Sequence, residues 1–274
     1  MIQLGLIGYP LGHTLSPVIQ EAAMKSCGVE GIYSLFPIMP DDDRGLTDLI
    51  SRLRAEEIRG LNVTIPHKQK VIPLLDALTP TASAIGAVNT VFRRERKVVG
   101  ENTDSPGFLA DLKRQLFNQR FKISRRKSAI ILGAGGSARA VVYALSKDGW
   151  QVTVVARRID QAKSLAASFP NLKTAAKVSE VDLSSATLIV NATPVGMMPN
   201  IGQSPLPEKV NSHSGAFVYD LVYNPRETSL VKNARAQGLN ATSGLGMLIE
   251  QAALSFEIWT GRNPPRDVLF EAVM

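Results

Sequence analysis

The sequence predicts an α/β fold made of two domains, and three observations support this prediction. The chain has 274 residues, enough for one large or two medium domains. Apolar segments of strand length alternate with amphipathic segments of helix length. The same alternation begins again after Gly107. Alternation of this kind is typical of a mostly parallel sheet that helices cover on both sides.

The first domain begins with an apolar segment that ends at Gly8. Ser16 and Pro17 then predict a helix start, with serine as the N-cap and proline at the first helical position. The segment 43–54 is amphipathic, because its apolar residues recur every three or four positions. We predict helices at 16–27 and 43–54, and strands at 2–7, 31–37, 60–64, 87–93 and 97–101, the last two forming a hairpin.

The second domain repeats the strand and helix pattern with longer apolar runs. Its first strand is a continuous apolar run, as expected for a strand buried on both faces. A final apolar helix follows, and its position suggests that the chain returns to the first domain. We predict strands at 128–132, 151–155, 187–190 and 218–222, and helices at 108–117, from about 136 to 147, from 160 onward, and at 247–261.

A glycine-rich loop follows the first strand of the second domain and opens a helix. Gly133, Gly135 and Ala138 fit the G-x-G-x-x-G/A pattern of a Rossmann dinucleotide-binding domain. Small residues let the backbone approach a pyrophosphate, and the helix N-terminus supplies N–H donors. The predicted cofactor contacts in this loop are Gly133, Ala134, Gly135, Gly136, Ser137 and Ala138.

The end of the next strand favours NADP over NAD. NAD-binding proteins place an acidic residue about 20 residues beyond the glycine loop, where it binds the ribose hydroxyls. This chain has Ala156, Arg157 and Arg158 there. Two guanidinium groups suit a 2′-phosphate, although they also suit a plain solvent-facing surface. We therefore predict that Arg157 and Arg158 bind NADP.

Lys68 and Asp104 are the candidate acid–base residues. Lys68 follows a short strand, and Asp104 lies near the predicted junction between the domains, where ligand sites are common. A lysine can transfer a proton when its surroundings adjust its pKa. Sequence spacing alone leaves a surface ion pair open as the alternative.

Composition limits the other classes of function. The single cysteine excludes an internal disulfide, and with only three histidines no zinc-ligand spacing is present, so we predict no metal. No apolar run is long enough to span a bilayer, and we expect a cytoplasmic protein without a signal peptide. The net charge of +7 leaves a nucleic-acid binder open, but a solvated surface explains it better.

Seven segments, in this order along nearly the whole chain, resemble motifs of the shikimate dehydrogenase family. They are residues 8–17, 62–68, 86–90, 102–104, 191–197, 219–225 and 244–251. The resemblance implies a catalytic role for Lys68 with Asp104 as its partner. It implies substrate contacts from Thr14, Ser16, Asn62, Thr64, Asn89, Tyr223 and Gln251. It further implies cofactor contacts near the nicotinamide from Thr193, Val195, Gly246 and Met247.

The resemblance also implies a domain organisation and an activity. Residues 1–105, completed by 239–274, would form a mostly parallel α/β/α substrate-binding domain, and residues 106–238 a Rossmann NADP-binding domain. The activity would be the reversible, NADP-dependent reduction of 3-dehydroshikimate to shikimate in chorismate biosynthesis, by a monomer or homodimer. A quinate/shikimate dehydrogenase and a non-catalytic NADP-binding paralogue remain alternatives. Thr14 stands where the family usually has serine, which bears on the first of these.

Overall fold

The computed structural model of the protein describes residues 1–121, 123, 127–207 and 215–274. It confirms the predicted α/β class, with two six-stranded sheets. The chain divides into two compact units, of which the first comprises Met1–Gly107 and Ile249–Met274 and the second comprises Phe108–Leu248.

The first unit contains six strands. They are β1 (Ile2–Gly8), β2 (Gly31–Pro37), β3 (Gly60–Val63), β4 (Ala77–Leu78), β5 (Thr90–Arg94) and β6 (Lys97–Glu101). Its helices are α1 (Ser16–Ser26), α2 (Asp43–Arg54), α3 (Pro80–Ile85) and α9 (Arg266–Ala272). Two further helices, α4 (Asp104–Asn118) and α8 (Leu245–Thr260), each contain one of the boundaries between the units.

The sheet of the first unit has the strand order β2-β1-β3-β5-β6-β4. The pairs β1–β2, β1–β3 and β4–β6 are parallel, whereas β3–β5 and β5–β6 are antiparallel. The apolar face of α2 packs against this sheet, since Leu46, Leu49 and Leu53 share a buried cluster with residues of β1, β3 and β5. Burial of that face is what the spacing of these leucines in the sequence requires.

In its described residues, the second unit contains the other six strands and three complete helices. The strands are β7 (Ser128–Leu132), β8 (Gln151–Val155), β9 (Lys173–Ala175), β10 (Leu188–Asn191), β11 (Phe217–Asp220) and β12 (Asn240–Ser243). The helices are α5 (Gly136–Lys147), α6 (Ile159–Ser168) and α7 (Ser229–Ala236).

All described pairings in the second sheet are parallel, in the order β12-β11-β10-β7-β8-β9. Alternate residues of one strand enter different buried clusters: Ala129 and Ile131 belong to one, Ile130 and Leu132 to the other. Because successive side chains of a strand point to opposite faces, this sheet is covered on both sides. Because β7 is buried on both faces, its sequence is continuously apolar.

Several predicted boundaries need correction. Ser16 is the first residue of α1 rather than its N-cap; Leu15 occupies the cap position and supplies no side-chain cap. Helix α4 begins at Asp104, four residues earlier than predicted. Strand β12 pairs with β11, so the chain does not return to the first unit at residue 239, and the second unit extends to Leu248.

Neither a membrane-spanning helix nor a metal cluster occurs in the described ranges. Among residues 1–121, 123, 127–207 and 215–274, no helix combines the length and the apolar character needed to cross a membrane. The same ranges hold no group of three or more His, Cys, Asp or Glu side chains suited to a metal ion. His213, one of the three histidines considered from the sequence, lies outside the described residues.

Candidate active site

A buried ion pair joins Lys68 to Asp104 in the first unit. The distance from Lys68 Nζ to Asp104 Oδ2 is 2.5 Å. The residues are only 9% and 4% exposed. A surface ion pair, the alternative that the sequence left open, is therefore wrong. Charge-assisted hydrogen bonds of this length are among the strong interactions available to a protein, and the buried setting reduces their screening by water.

Three neighbouring strands bring the two charges together. Lys68 lies five residues beyond the end of β3, and Asp104 lies three residues beyond the end of β6. Between them runs β5, whose Thr90 pairs with Asn62 on one side and with Glu101 on the other. Asp104 is also in the first turn of α4, where the positive end of the helix dipole favours a carboxylate.

The side chain of Asn89 holds the second oxygen of the carboxylate. Asn89 Nδ2 directs its two hydrogens at three acceptors: Asp104 Oδ1 at 2.9 Å, Thr103 Oγ1 at 2.8 Å and Gln251 Oε1 at 3.2 Å. Its Oδ1 accepts the backbone N–H of Thr103 at 2.7 Å, which fixes which end of the amide is the oxygen. The structure thus brings four of the predicted site residues together: Lys68, Asn89, Asp104 and Gln251.

Asn62 is part of the same polar layer, but most of its hydrogen-bonding capacity is already used within the protein. Its Nδ2 donates to Ser255 Oγ at 3.0 Å and to the Asn89 carbonyl at 3.2 Å. Its Oδ1 accepts from the Tyr33 hydroxyl at 2.8 Å. A carbonyl oxygen has two lone pairs, so one remains for a ligand hydroxyl.

Thr14 and Ser16 present a pair of hydroxyl groups at the start of α1. Thr14 Oγ1 donates to Ser16 Oγ at 3.1 Å and accepts the backbone N–H of Ser16 at 3.2 Å. Thr64 follows β3, and its methyl group lies where a side chain at Gly8 would have to be. Within the described residues, the Thr64 hydroxyl has no hydrogen bond, so it can serve a ligand.

The glycine loop of the second unit has room for a ligand beside its backbone. Gly135 is the N-cap of α5, and no side chain caps that helix. A Cβ atom added at Gly135 would meet nothing within 4 Å, and Gly133 has a φ of +109° that favours glycine. Open space beside uncapped N–H donors fits the pyrophosphate of a dinucleotide.

Arg157 and Arg158 lie at the same sheet edge as this loop. The register of β7 and β8 places Leu132 opposite Val155, so both chains leave the sheet together. Both arginines are exposed, and in the described part of the chain neither forms an ion pair with an acidic residue. Two exposed guanidinium groups without acidic partners fit a phosphate monoester such as the 2′-phosphate of NADP.

Thr193 and Val195 follow β10, which is the neighbour of β7 on its other side. The buried side chain of Asn191 shapes this turn: its Oδ1 accepts the backbone N–H and the hydroxyl of Thr193 at 3.0 and 2.7 Å, and its Nδ2 contacts the Val195 carbonyl at 3.3 Å. The methyl group of Thr193 lies 3.1 Å from the position of a Cβ at Gly133. Thr193 therefore borders the glycine loop.

Gly246 and Met247 form the first turn of α8, against a buried polar pair. Tyr219 donates its hydroxyl hydrogen to Asp111 Oδ2 at 2.5 Å. Burial, with the neighbouring Asp111 carboxylate, raises the pKa of Tyr219, so the phenol keeps its proton. A Cβ at Gly246 would meet the Asp111 carboxylate, and only glycine fits there. The side chain of Met247 belongs to the core of this unit.

Three family models match successive parts of the chain. Residues 6–91 match the family model of the shikimate dehydrogenase substrate binding domain, residues 115–234 that of shikimate / quinate 5-dehydrogenase, and residues 244–274 that of the shikimate 5'-dehydrogenase C-terminal domain. The shikimate dehydrogenase (NADP(+)) of Carboxydothermus hydrogenoformans is 39% identical over 98% of this chain and 95% of its own length. The chain belongs to the shikimate dehydrogenase family.

Solved structures of this family have the same fold. Shikimate 5-dehydrogenase from Thermus thermophilus, in complex with NADP(H) and shikimate, is 36% identical with a TM-score of 0.86, over 99% of this chain and 98% of that one. Quinate dehydrogenase from Corynebacterium glutamicum, in complex with NAD, is 32% identical, also with a TM-score of 0.86 and the same coverage. The predicted family resemblance is thereby confirmed.

Two polar residues of this family member were missed from the sequence. Ser255 lies four positions beyond Gln251 on α8, so it faces the same side, and that spacing was an available signal. Tyr33 lies in β2 between Ile32 and Ser34, and nothing in its local sequence indicated that Asn62 is its partner. Of the predicted substrate residues, Tyr223 belongs to the second unit, where it follows β11.

Asp220 is a buried carboxyl group at the end of β11. Its Oδ1 accepts from Asn191 Nδ2 at 2.8 Å and from the Val222 N–H at 3.0 Å, and its Oδ2 accepts from the Thr228 hydroxyl at 2.7 Å. Burial raises the pKa of Asp220 to about 6, against an ordinary value of 3.8, although these three donors oppose the shift. Thr228 in turn caps α7.

This shift predicts that Asp220 makes stability depend on pH. Because the folded chain binds the proton more tightly, the stability that protonated Asp220 provides is present below pH 3.8 and is lost as the pH rises towards 6. Asp220→Asn keeps the shape without the charge. As the pH rises from 4 to 7, we expect the free energy of unfolding of the variant to increase by up to about 3 kcal/mol relative to that of the unmodified chain. Calorimetric unfolding at several pH values measures this change, and Asp160→Asn, which alters an exposed carboxylate, is the control. A difference in free energy of unfolding between Asp220→Asn and the unmodified chain that stays constant with pH would contradict the prediction.

Proposed function

We propose that this chain catalyses the reversible, NADP-dependent reduction of 3-dehydroshikimate to shikimate in chorismate biosynthesis. The observation that carries the proposal is the buried Lys68–Asp104 pair, held in place by Asn89, in a chain of the shikimate dehydrogenase family. A buried ammonium beside a carboxylate is suited to donating a proton to an oxygen atom. An enzyme of this pathway acts on a small molecule and is expected in the cytoplasm, as a monomer or homodimer.

The substrate is proposed to bind through hydroxyl and amide groups of the loops and helices described above. The Thr14 and Ser16 hydroxyl groups serve the carboxylate, and Tyr223 of the second unit is a further proposed substrate contact. The ring hydroxyls and the carbonyl require amide and hydroxyl partners, because a site built to bind them rejects analogues that leave its polar groups unpaired. These partners are Asn62, Thr64, Asn89 and Gln251.

The cofactor is proposed to bind to the second unit. The backbone of the glycine loop from Gly133 to Ala138 would bind the pyrophosphate, and Arg157 with Arg158 the 2′-phosphate. Thr193, Val195, Gly246 and Met247 would border the nicotinamide. When bound, NADPH supplies the hydride that reduces the carbonyl carbon.

Lys68 is proposed to act as the general acid at the substrate carbonyl oxygen. Its ammonium stabilises negative charge as that oxygen becomes an alkoxide and then transfers a proton to it, so the product gains a hydroxyl group and Lys68 becomes neutral. Solvent returns the proton. Asp104 keeps the ammonium aimed through their 2.5 Å contact, and Asn89 keeps Asp104 in place. In the direction of shikimate oxidation, neutral Lys68 removes the hydroxyl proton.

Quinate dehydrogenase activity is the second candidate. It is favoured by Thr14, whose extra methyl group changes the pocket proposed for the carboxylate. The discriminating experiment is a set of steady-state kinetics with shikimate and quinate, each with NADP⁺ and NAD⁺. We expect shikimate with NADP⁺ to give the highest kcat/KM. A higher kcat/KM for quinate would favour the second candidate, and absence of turnover with all four pairs would favour a non-catalytic paralogue.

Lys68→Ala should lower kcat by about 100-fold or more, because it removes the proton donor. The KM for NADP should stay near that of the unmodified enzyme, and Asp104→Asn should also lower kcat. Lys70→Ala is the matched control, since Lys70 is exposed and contacts Asp43 at 3.4 Å. Thermal unfolding of each variant checks that it is folded. An active Lys68→Ala enzyme would remove this mechanism, and a fully active Asp104→Asn enzyme would limit Asp104 to a binding role.

The double variant Arg157→Ala with Arg158→Ala should raise the KM for NADP by about tenfold or more while changing the KM for NAD little, because only NADP carries the 2′-phosphate. Lys163→Ala, which removes an exposed cation from α6 of the same unit, is the control. An equal loss of affinity for both dinucleotides would assign the arginines a role other than phosphate binding.

A further inference from the structure

We propose that Ser255 is a positioning residue for the substrate site, acting through Asn62, Thr90 and Thr103 rather than by contact with the reacting atoms. This proposal rests on the proposed function. Ser255 is 0% exposed and lies on α8, within the first unit. Its hydroxyl lies within hydrogen-bonding distance of three other polar side chains, those of Asn62, Thr90 and Thr103.

The Ser255 hydroxyl has four neighbours within hydrogen-bonding distance. Its Oγ lies 2.9 Å from the Gln251 carbonyl, 3.0 Å from Asn62 Nδ2, 2.7 Å from Thr90 Oγ1 and 3.0 Å from Thr103 Oγ1. All four contacts are buried. A serine that only caps or relaxes its own helix would have the first of these contacts and not the other three.

The number of hydrogen atoms and lone pairs fixes the direction of two of these four bonds. A hydroxyl group has one hydrogen and two lone pairs. The Gln251 carbonyl can only accept, so it takes the Ser255 hydrogen, whereas Asn62 Nδ2 can only donate and occupies one lone pair. In the contacts with Thr90 and Thr103 either hydroxyl can be the donor, and the Thr90 contact is the shortest at 2.7 Å. Ser255 is thus the acceptor on which the buried amide of Asn62 depends, and two further buried hydroxyls are hydrogen-bonded to it.

From Ser255 the hydrogen bonds continue to the reacting pair. Thr103 Oγ1 lies 3.2 Å from Thr90 Oγ1 and accepts from Asn89 Nδ2 at 2.8 Å. The same Asn89 amide holds Asp104 Oδ1, and Asp104 holds Lys68. On the other side, Ser255 fixes the amide of Asn62, which leaves the free lone pair of Asn62 Oδ1 in a constant direction. One hydroxyl therefore orients both amides that are proposed to bind the ring.

Ser255→Ala leaves the buried Asn62 donor without this acceptor and removes the hydrogen bonds that Ser255 shares with Thr90 and Thr103, so the two amides lose their fixed orientation. We expect the KM for shikimate to rise about fivefold or more and kcat/KM to fall about tenfold or more, with the KM for NADP changed less than about twofold. A merely structural role would lower the melting temperature and the active fraction but leave the KM for shikimate unchanged.

Thr260→Ala is the matched control. Thr260 is on the same helix and its hydroxyl makes the same bond to the carbonyl four residues earlier, at 2.8 Å to Phe256, but it has no contact with the site layer among the described residues. We expect it to leave both KM values unchanged. Ser255→Thr restores a hydroxyl group and should recover most of the affinity for shikimate that Ser255→Ala loses.

Thr90→Val provides a second test that keeps the side-chain volume while deleting the hydroxyl that is hydrogen-bonded to Ser255, and it decides the matter if Ser255→Ala does not fold. A raised KM for shikimate supports the proposal. If the unmodified enzyme turns over shikimate but the Thr90→Val variant has the same KM for shikimate as the Thr260→Ala control, the positioning role alone is overturned. Absence of turnover in the unmodified enzyme overturns the proposed function, and this role with it.

Discussion

The constraint on which the first unit depends is the cost of burying two opposite charges. Removing an ammonium and a carboxylate from water costs several kcal/mol for each ion unless hydrogen bonds replace the lost water. Lys68 pairs with one oxygen of Asp104, and the carboxylate still needs a donor for its second oxygen. Asn89 provides that donor. Asn89 must then be held by further polar groups, which explains why a continuous layer of amides and hydroxyls lies between β3, β5 and α8.

In the second unit, the charged side chains that are candidate ligand contacts are exposed rather than buried. Its candidate phosphate ligands, Arg157 and Arg158, are exposed and free of acidic partners among the described residues, so they incur no burial cost before a ligand arrives. Its buried carboxyl groups serve structure instead. Asp111 supports the first turn of α8 through Tyr219 and leaves no space for a side chain at Gly246. The two units thus arrange charge differently: the first buries an ion pair, whereas the second leaves two arginines exposed.

The sequence was informative where local physics decides the structure. The apolar run of β7, the leucine spacing of α2 and the loop from Gly133 to Ala138 each depend on neighbouring residues, and the structure agrees with all three. It was less informative where distant residues decide. Strand β12 is identifiable only through its pairing with β11, and the role of Tyr33 depends on Asn62, which lies 29 residues away. The pairing of Lys68 with Asp104 came from family resemblance, because their separation of 36 residues carries no geometric signal.

The pair formed by Asn191 and Asp220 has a consequence for how the second sheet assembles. These residues are direct partners in the register of β10 and β11, both fully buried, and joined by a bond of 2.8 Å. A shift of one residue in the register would place Val190 or Ala192 opposite Asp220. The Asn191 amide and the Asp220 carboxyl group would then be buried in an apolar interior without hydrogen-bond partners. The apolar side chains of two parallel strands carry little information about alignment on their own. These two polar side chains therefore specify the register of β10 and β11, because any other register leaves buried polar groups without partners.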